Sequence, residues 1–172
     1  MSEPGPQRCW HTEEDFGIGK VRIAASDADV RLSLALGLES PAGGRMMRDD
    51  RLACIPLGPQ EWTIIGSADA VQAALTRVAE AFREDLALVL DMSHGAALLR
   101  LSGPQAIGRI AAYCDLDLHP ASFPTNHAAR TRFGDVGVTL ARLDDCPSFW
   151  LIVDQSYAEY LTLLLDHDAP AT

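Results

Sequence analysis

Asp91, Ser93 and His94 bring the three side-chain types of a nucleophilic triad close together in the chain, so hydrolysis is the first chemistry to weigh. On a strand, Asp91 and Ser93 point to one face and His94 sits at the strand's end. No Gly-x-Ser-x-Gly elbow surrounds Ser93, and the preferred reading is a polar strand end with internal hydrogen bonds. His11, His119, His127 and His167 form neither His-x-x-x-His nor His-Glu-x-x-His, which leaves no zinc-hydrolase pattern. Gly17-Ile18-Gly19-Lys20 shares letters with a phosphate loop but not its spacing. Leu101-Ser102-Gly103-Pro104 leads from a strand to a helix N-terminus, where proline removes one of the backbone donors an anion would need. The carboxylate pairs Asp49-Asp50, Asp115-x-Asp117 and Asp144-Asp145 stand in turns or loops without the further ligands of a calcium site. Arg130 and Arg132 are the candidates that remain. Two guanidinium groups on one face of a hairpin can meet a partner's carboxylates, although from sequence alone a solvated face is the reading that comes first. No residue is assigned a catalytic, cofactor-binding or metal-ligating role.

The elements that would position these groups follow from apolar period and turn chemistry. Residues 1–16 are polar, carry two prolines and show no apolar period, which predicts a loose arm. A strand is predicted at 18–24, and a helix between the cap Ser26-Asp27 and the stop Gly37, with Pro41, Gly43 and Gly44 in the loop beyond. Runs at 51–57 and 61–65, joined by Gly58, Pro59 and Gln60, read as a hairpin. Ser67 caps a helix whose Val71, Ala74, Leu75, Val78 and Phe82 share one face. The almost continuously apolar stretch 86–92 predicts a central strand covered on both faces.

A second round opens with a strand at 96–101 and a helix with Pro104 in its first position and Ile107, Ile110, Ala111 and Cys114 buried. After a long connection at 115–126, Ala129, Thr131, Phe133, Val136, Val138 and Leu140 share one face of a hairpin turned by Gly134-Asp135, with Arg130 and Arg132 on the other. A strand at 149–153 precedes a helix opened by the capping box Ser156-x-x-Glu159, burying Tyr157, Tyr160, Leu161, Leu164 and Leu165. The predicted class is α+β, built from ferredoxin-like βαββαβ units: one domain over 17–168, in two halves at about 17–93 and 96–168.

Composition bounds the function. The 172 residues carry 14 Lys plus Arg against 24 Asp plus Glu, a net charge of −10. Such a chain makes a poor partner for phosphate backbones or anionic membranes. Only Lys20 among the basic residues is lysine, a bias that coding preference accounts for and that also suits interface pairing by arginine. No stretch is long and apolar enough to span a bilayer, and the first residues lack a signal peptide's basic start, so a cytoplasmic location is expected. Cys9, Cys54, Cys114 and Cys146 are too widely spaced for a zinc knuckle.

Several segments carry a family likeness. They are Leu57-Gly58-Pro59-Gln60-Glu61-Trp62, Leu90-Asp91-Met92-Ser93-His94, Leu99-Arg100-Leu101-Ser102-Gly103-Pro104 and, above all, Cys114-Asp115-Leu116-Asp117-Leu118-His119-Pro120. Ser122-Phe123-Pro124, Ala129-Arg130-Thr131-Arg132 and Ser156-Tyr157-Ala158-Glu159-Tyr160 complete the set. In this order, from about residue 50 to 166, the chain resembles the gamma subunit of heterotetrameric sarcosine oxidase. Gly95 stands where that family commonly has a basic residue, and residues 1–16 match no family feature. The resemblance implies a fold like the folate-binding domain of aminomethyltransferase. It also implies a non-catalytic subunit packed on alpha, beta and delta partners, in a complex that demethylates sarcosine to glycine and passes the one-carbon unit to tetrahydrofolate. FAD, FMN, NAD and zinc are then expected in the partner subunits and none in this chain. The rival readings are a free-standing folate-binding or aminomethyltransferase-like protein and a homodimeric scaffold.

Overall fold

Residues 52–55, 61–65, 97–99 and 151–153 are buried in succession, so these strands have both faces covered. The computed structural model describes residues 9–39 and 45–167. Its first half runs β2 (Gly17–Ile23), α1 (Ala28–Leu36), β3 (Met47–Arg48), β4 (Leu52–Gly58), β5 (Glu61–Gly66), α2 (Ala68–Ala81) and β6 (Ala87–Asp91). Its second runs β7 (Ala96–Ser102), α3 (Ala106–Ala111), β8 (Ala128–Phe133), β9 (Val136–Asp144), β10 (Ser148–Asp154) and α4 (Ala158–Asp166), while β1 (Trp10–Thr12) lies ahead of both.

Two five-stranded antiparallel sheets result, ordered β3-β4-β5-β2-β6 and β8-β9-β10-β7-β1. In the first, β6-β2-β5-β4 is the 4-1-3-2 arrangement of a ferredoxin-like unit. The second repeats that order with β1 as its fourth strand, so the unit is closed by a segment from the opposite end of the chain. The mixed α+β class with ferredoxin-like units is the one predicted.

The sheets stack face to face. Ile18, Ala53, Ile55 and Ile65 of the first meet Leu98, Ala141, Leu143 and Ile152 of the second in a shared core. Helices α1 and α2 cover the outer face of the first sheet through Leu32, Leu36, Val71, Ala74 and Val78. Helices α3 and α4 cover the second through Ala106, Ile110, Leu161 and Leu165. The order of layers is helix, sheet, sheet, helix.

Capping is as predicted for α2, where Ser67 Oγ accepts from the Ala70 N–H at 3.4 Å, and α1 stops at Gly37 with φ +70°. Gly17 and Gly19 serve packing. A Cβ on Gly19 would lie 2.5 Å from Leu75 Cδ2, so the absent side chain is what lets α2 approach β2.

Several elements depart from the sequence reading. Within the predicted loose arm, Trp10–Thr12 pairs with residues 99–101 of β7 and Trp10 is buried in the second core, an apolar contact too brief to show a period. Residues 1–8, together with the loop at Pro41, Gly43 and Gly44 and position 168, fall outside the described residues. The stretch 86–92 is an edge rather than a central strand: Ala87 and Val89 face α2, whereas the alternate side chains face outward. Pro104 precedes α3, whose N-cap is Gln105. Ser156 makes no capping box, since its Oγ donates to Asp154 Oδ1 at 2.6 Å and a single 3₁₀ turn over Gln155–Tyr157 leads into α4, leaving Tyr157 exposed.

Candidate functional site

On the inner face of the first sheet, cross-strand partners line up in rows: Leu90, Lys20 and Thr63 in one, and Leu88, Arg22 and Glu61 in the next. Strand β8 of the second sheet ends its cover over this region and sends Arg130 across the gap. Glu61 Oε1 accepts from Arg130 Nη2 at 2.9 Å and lies 3.3 Å from Lys20 Nζ, while Oε2 lies 3.6 Å from Arg22 Nε. One nearly buried carboxylate thus gathers three half-exposed cations. Burial alone would raise the Glu61 pKa, but the field of Arg130, Lys20 and Arg22 outweighs it and holds the carboxyl below the usual carboxylate range. Beside the cluster opens a cleft of about 410 Å³ between the sheets, lined by Lys20, Thr63, Met92, Arg130, Thr131 and Thr139.

The two candidate arginines share a strand face but not a role. Arg130 ties one sheet to the other, whereas Arg132 is largely solvated and reaches only Asp135, at 3.4 Å within its own turn. Glu61 was not singled out by sequence reasoning. Its signal is a lone carboxylate opening an otherwise apolar strand, in register with the inward-facing Thr63 and Ile65.

The triad-like cluster forms a turn. Ser93 Oγ donates to Asp91 Oδ1 at 2.6 Å and accepts from the Ile18 N–H at 3.0 Å, and the Ser93 N–H also bonds Asp91 at 2.9 Å. The Ser93 hydroxyl and amide hold the Asp91 carboxyl below its ordinary pKa, as those of Ser156 do for Asp154 at the end of β10. Gly17 and Gly19 sit under α2, away from any phosphate-binding geometry. Cys9, Cys54, Cys114 and Cys146 are free thiols, and burial pushes that of Cys54 up, away from reactivity. Among the described residues no group of three or more His, Cys, Asp or Glu is placed to hold a metal ion.

The long connection 115–126 is organised by a residue the sequence reading passed over. Arg142 is 2% exposed; its Nη1 donates to the carbonyls of Leu118 and Phe123 at 3.1 and 3.2 Å, its Nε to that of Asp144 at 3.3 Å, and it lies 5.6 Å from the Phe149 ring. Its position continues the buried row Val136, Val138 and Leu140 along β9, and a charge on that row is the available sequence signal. His119 completes the fold of the connection, its carbonyl accepting from the Ser122 and Phe123 amides at 2.9 and 2.8 Å.

Comparison with known proteins follows this geometry closely. Residues 22–172 match the sarcosine oxidase gamma subunit family. Sarcosine oxidase subunit gamma from Corynebacterium sp. (strain U-96) is 29% identical over 145 residues, covering 83% of this chain and 69% of that protein. The corresponding subunit from Arthrobacter sp. is 29% identical over 126 residues, 73% of this chain and 61% of that one. A chain of the heterotetrameric sarcosine oxidase from Corynebacterium sp. U-96, solved in complex with pyrrole 2-carboxylate, superposes with a TM-score of 0.82 at 26% identity, over 95% of this chain and 87% of that one. The glycine cleavage system aminomethyltransferase T from Bartonella henselae superposes with a TM-score of 0.69 at 17% identity, over 92% of this chain and 45% of that one, a likeness of fold alone. No helix among the described residues is long and apolar enough to cross a membrane.

Proposed function

Because this chain belongs to the sarcosine oxidase gamma subunit family, we propose that it is the non-catalytic gamma subunit of a heterotetrameric complex that oxidatively demethylates sarcosine to glycine. In this reading it packs against a large alpha subunit, beside beta and delta subunits, in the cytoplasm. FAD, FMN, NAD and zinc, and the transfer of the one-carbon unit to tetrahydrofolate, belong to those partners. The observation that carries the reading is the superposition of 95% of the chain on a chain of a heterotetrameric sarcosine oxidase.

The side chains of the site support an assembly role. Arg130 at the cleft is engaged with Glu61 of the facing sheet, and the Ser93 hydroxyl is occupied on both its donor and acceptor sides. Such groups hold a shape rather than supply a reacting atom. The test is co-expression of the full chain with the flavin-bearing large subunit encoded beside it. A stable complex through affinity and size-exclusion steps is the expected result. Failure to associate overturns the assignment, and tetrahydrofolate binding by the isolated chain, read by calorimetry, would turn it toward a free-standing folate-binding protein.

A further inference from the structure

The inner face of the first sheet is covered only in part. Ile18, Ala53 and Ile65 lie under the second sheet, but cover ends toward β2 and β6, where the face stays open. Leu88, Leu90 and Met92 project there, 45%, 41% and 36% exposed, and Leu86, just ahead of β6, is 83% exposed. Cross-strand from Leu90 and Leu88 stand Lys20 and Arg22. The patch is apolar on one strand and basic on the next, in a chain of net charge −10.

The edge itself is equally open. Among the described residues β6 pairs with β2 alone, and it lacks the lysine, proline or bulge with which natural sheets blunt an exposed edge. It is also anchored at both ends. The Ala24 N–H donates to the Leu86 carbonyl at 3.0 Å and the Met92 N–H to the Ile18 carbonyl at 2.7 Å, fixing both ends. In the second unit the equivalent strand, β1, is only three residues long and turns Trp10 into the core. Of these two equivalent strands, β6 is the longer and the one whose leucines stay exposed.

We propose that β6, with the Lys20 and Arg22 side chains beside it, is the surface on which the large subunit of the complex docks, through an extended segment that adds to the β6 edge and carries acidic side chains toward Lys20 and Arg22. This rests on the gamma-subunit reading above and names its interface. Main-chain pairing along β6 would give the contact its register, and Leu88 and Leu90 its apolar area. Three cations share the single carboxylate of Glu61, so the patch can accept further negative charge. A second copy of this chain pairing β6 to β6 would set the same cations, Lys20 and Arg22, against each other, which makes it the poorer occupant.

The test uses the full chain co-expressed with the large subunit, comparing wild type with Leu88→Glu/Leu90→Glu, Leu88→Ser/Leu90→Ser and Arg22→Glu. Both leucine pairs should lower the recovered complex at least tenfold while the isolated leucine variants keep the wild-type melting temperature, and Arg22→Glu should lower recovery several-fold with a weaker salt dependence, beyond the loss expected from its own effect on the Glu61 cluster. In the wild-type complex the amides of residues 87–91 should exchange at least tenfold more slowly than in the free chain. Wild-type assembly with undiminished recovery of both leucine variants and unprotected 87–91 amides overturns the proposed surface and leaves the gamma-subunit assignment standing. Failure of the wild-type chain itself to assemble overturns that assignment instead. A homodimer of the isolated chain that the leucine variants abolish, with assembly intact, assigns the patch to a second copy and overturns the proposal.

Discussion

Glu61 opens β5 in one sheet and Arg130 lies in β8 of the other, yet the carboxylate and guanidinium meet at 2.9 Å, the charged tie across the seam between the two ferredoxin-like units. By its strand face alone Arg130 is a candidate for partner contact. Its first partner is within its own chain. Removing Glu61 leaves Arg130, Lys20 and Arg22 facing one another without a counter-charge, and Glu61→Ala should cost about 2 kcal/mol in urea unfolding at neutral pH. Arg130→Ala, which removes a half-exposed partner, should cost about 1 kcal/mol, and Arg132→Ala less than about 0.5 kcal/mol. Equal effects of the two arginine substitutions would show that the inter-sheet tie is not what distinguishes them.

The same cluster sets a pH dependence. Burial works to raise the Glu61 pKa, and the three cations more than offset it, leaving it depressed. A depressed carboxylate adds stability that is complete above its unfolded value, about 4.3 for glutamate, and is lost as pH falls through the lower folded value. Wild type should therefore melt above Glu61→Gln at pH 7, with the gap closing below about pH 4. Thermal scans of both proteins between those limits give the answer, and a gap that widens on acidification would reverse the sign argued here.

Gly19 stands where α2 crosses β2, with Leu75 wrapped over the place a side chain would fill. Gly19→Ala should destabilise the chain by about 1–3 kcal/mol through overpacking. Gly37→Ala, at a helix stop with φ +70° and open space around it, should cost about 1 kcal/mol from backbone strain alone. Chemical denaturation separates the two mechanisms, since Leu75→Ala should relieve the first and leave the second untouched.

Arg142 is buried and its guanidinium holds two carbonyls within the 115–126 connection. Arg142→Met keeps much of the volume and strands the carbonyls of Leu118 and Phe123, at a cost of about 2–4 kcal/mol. Limited proteolysis should then cut within 115–126 faster than elsewhere. Wild-type resistance there would mean the connection is held by Leu118 and Phe123 packing alone.

What could be read from sequence, and what could not, divides along physical lines. The helix at 68–81 is legible because five apolar residues at helical spacing and a serine cap point to one answer. The hairpin of β8 and β9 is legible because its alternation continues unbroken through a Gly-Asp turn. Continuous apolarity at 86–92 reports that something covers a strand, without saying whether that cover belongs to the same chain; here the intramolecular cover reaches one face only. Within the site, Arg130 and Arg132 look alike because strand period gives a face and not a partner. Glu61, 69 positions away from Arg130, enters only through the stacking of two sheets, which no local pattern encodes.

Trp10–Thr12 closes a sheet whose other members begin at Ala96, with Trp10 opposite Leu101 and Thr12 opposite Leu99. During synthesis this imposes an order. The strands and helices from Gly17 to Asp91 emerge as a finished 4-1-3-2 unit, whereas the segment made before them has no partner until β7 has left the ribosome. Folding of the second unit thus requires closure of a loop spanning the whole of the first, a non-local step of the kind that sets a slow rate. Until then Trp10 is without the core that buries it, so capture of β1 waits on a strand made after the whole of the first unit.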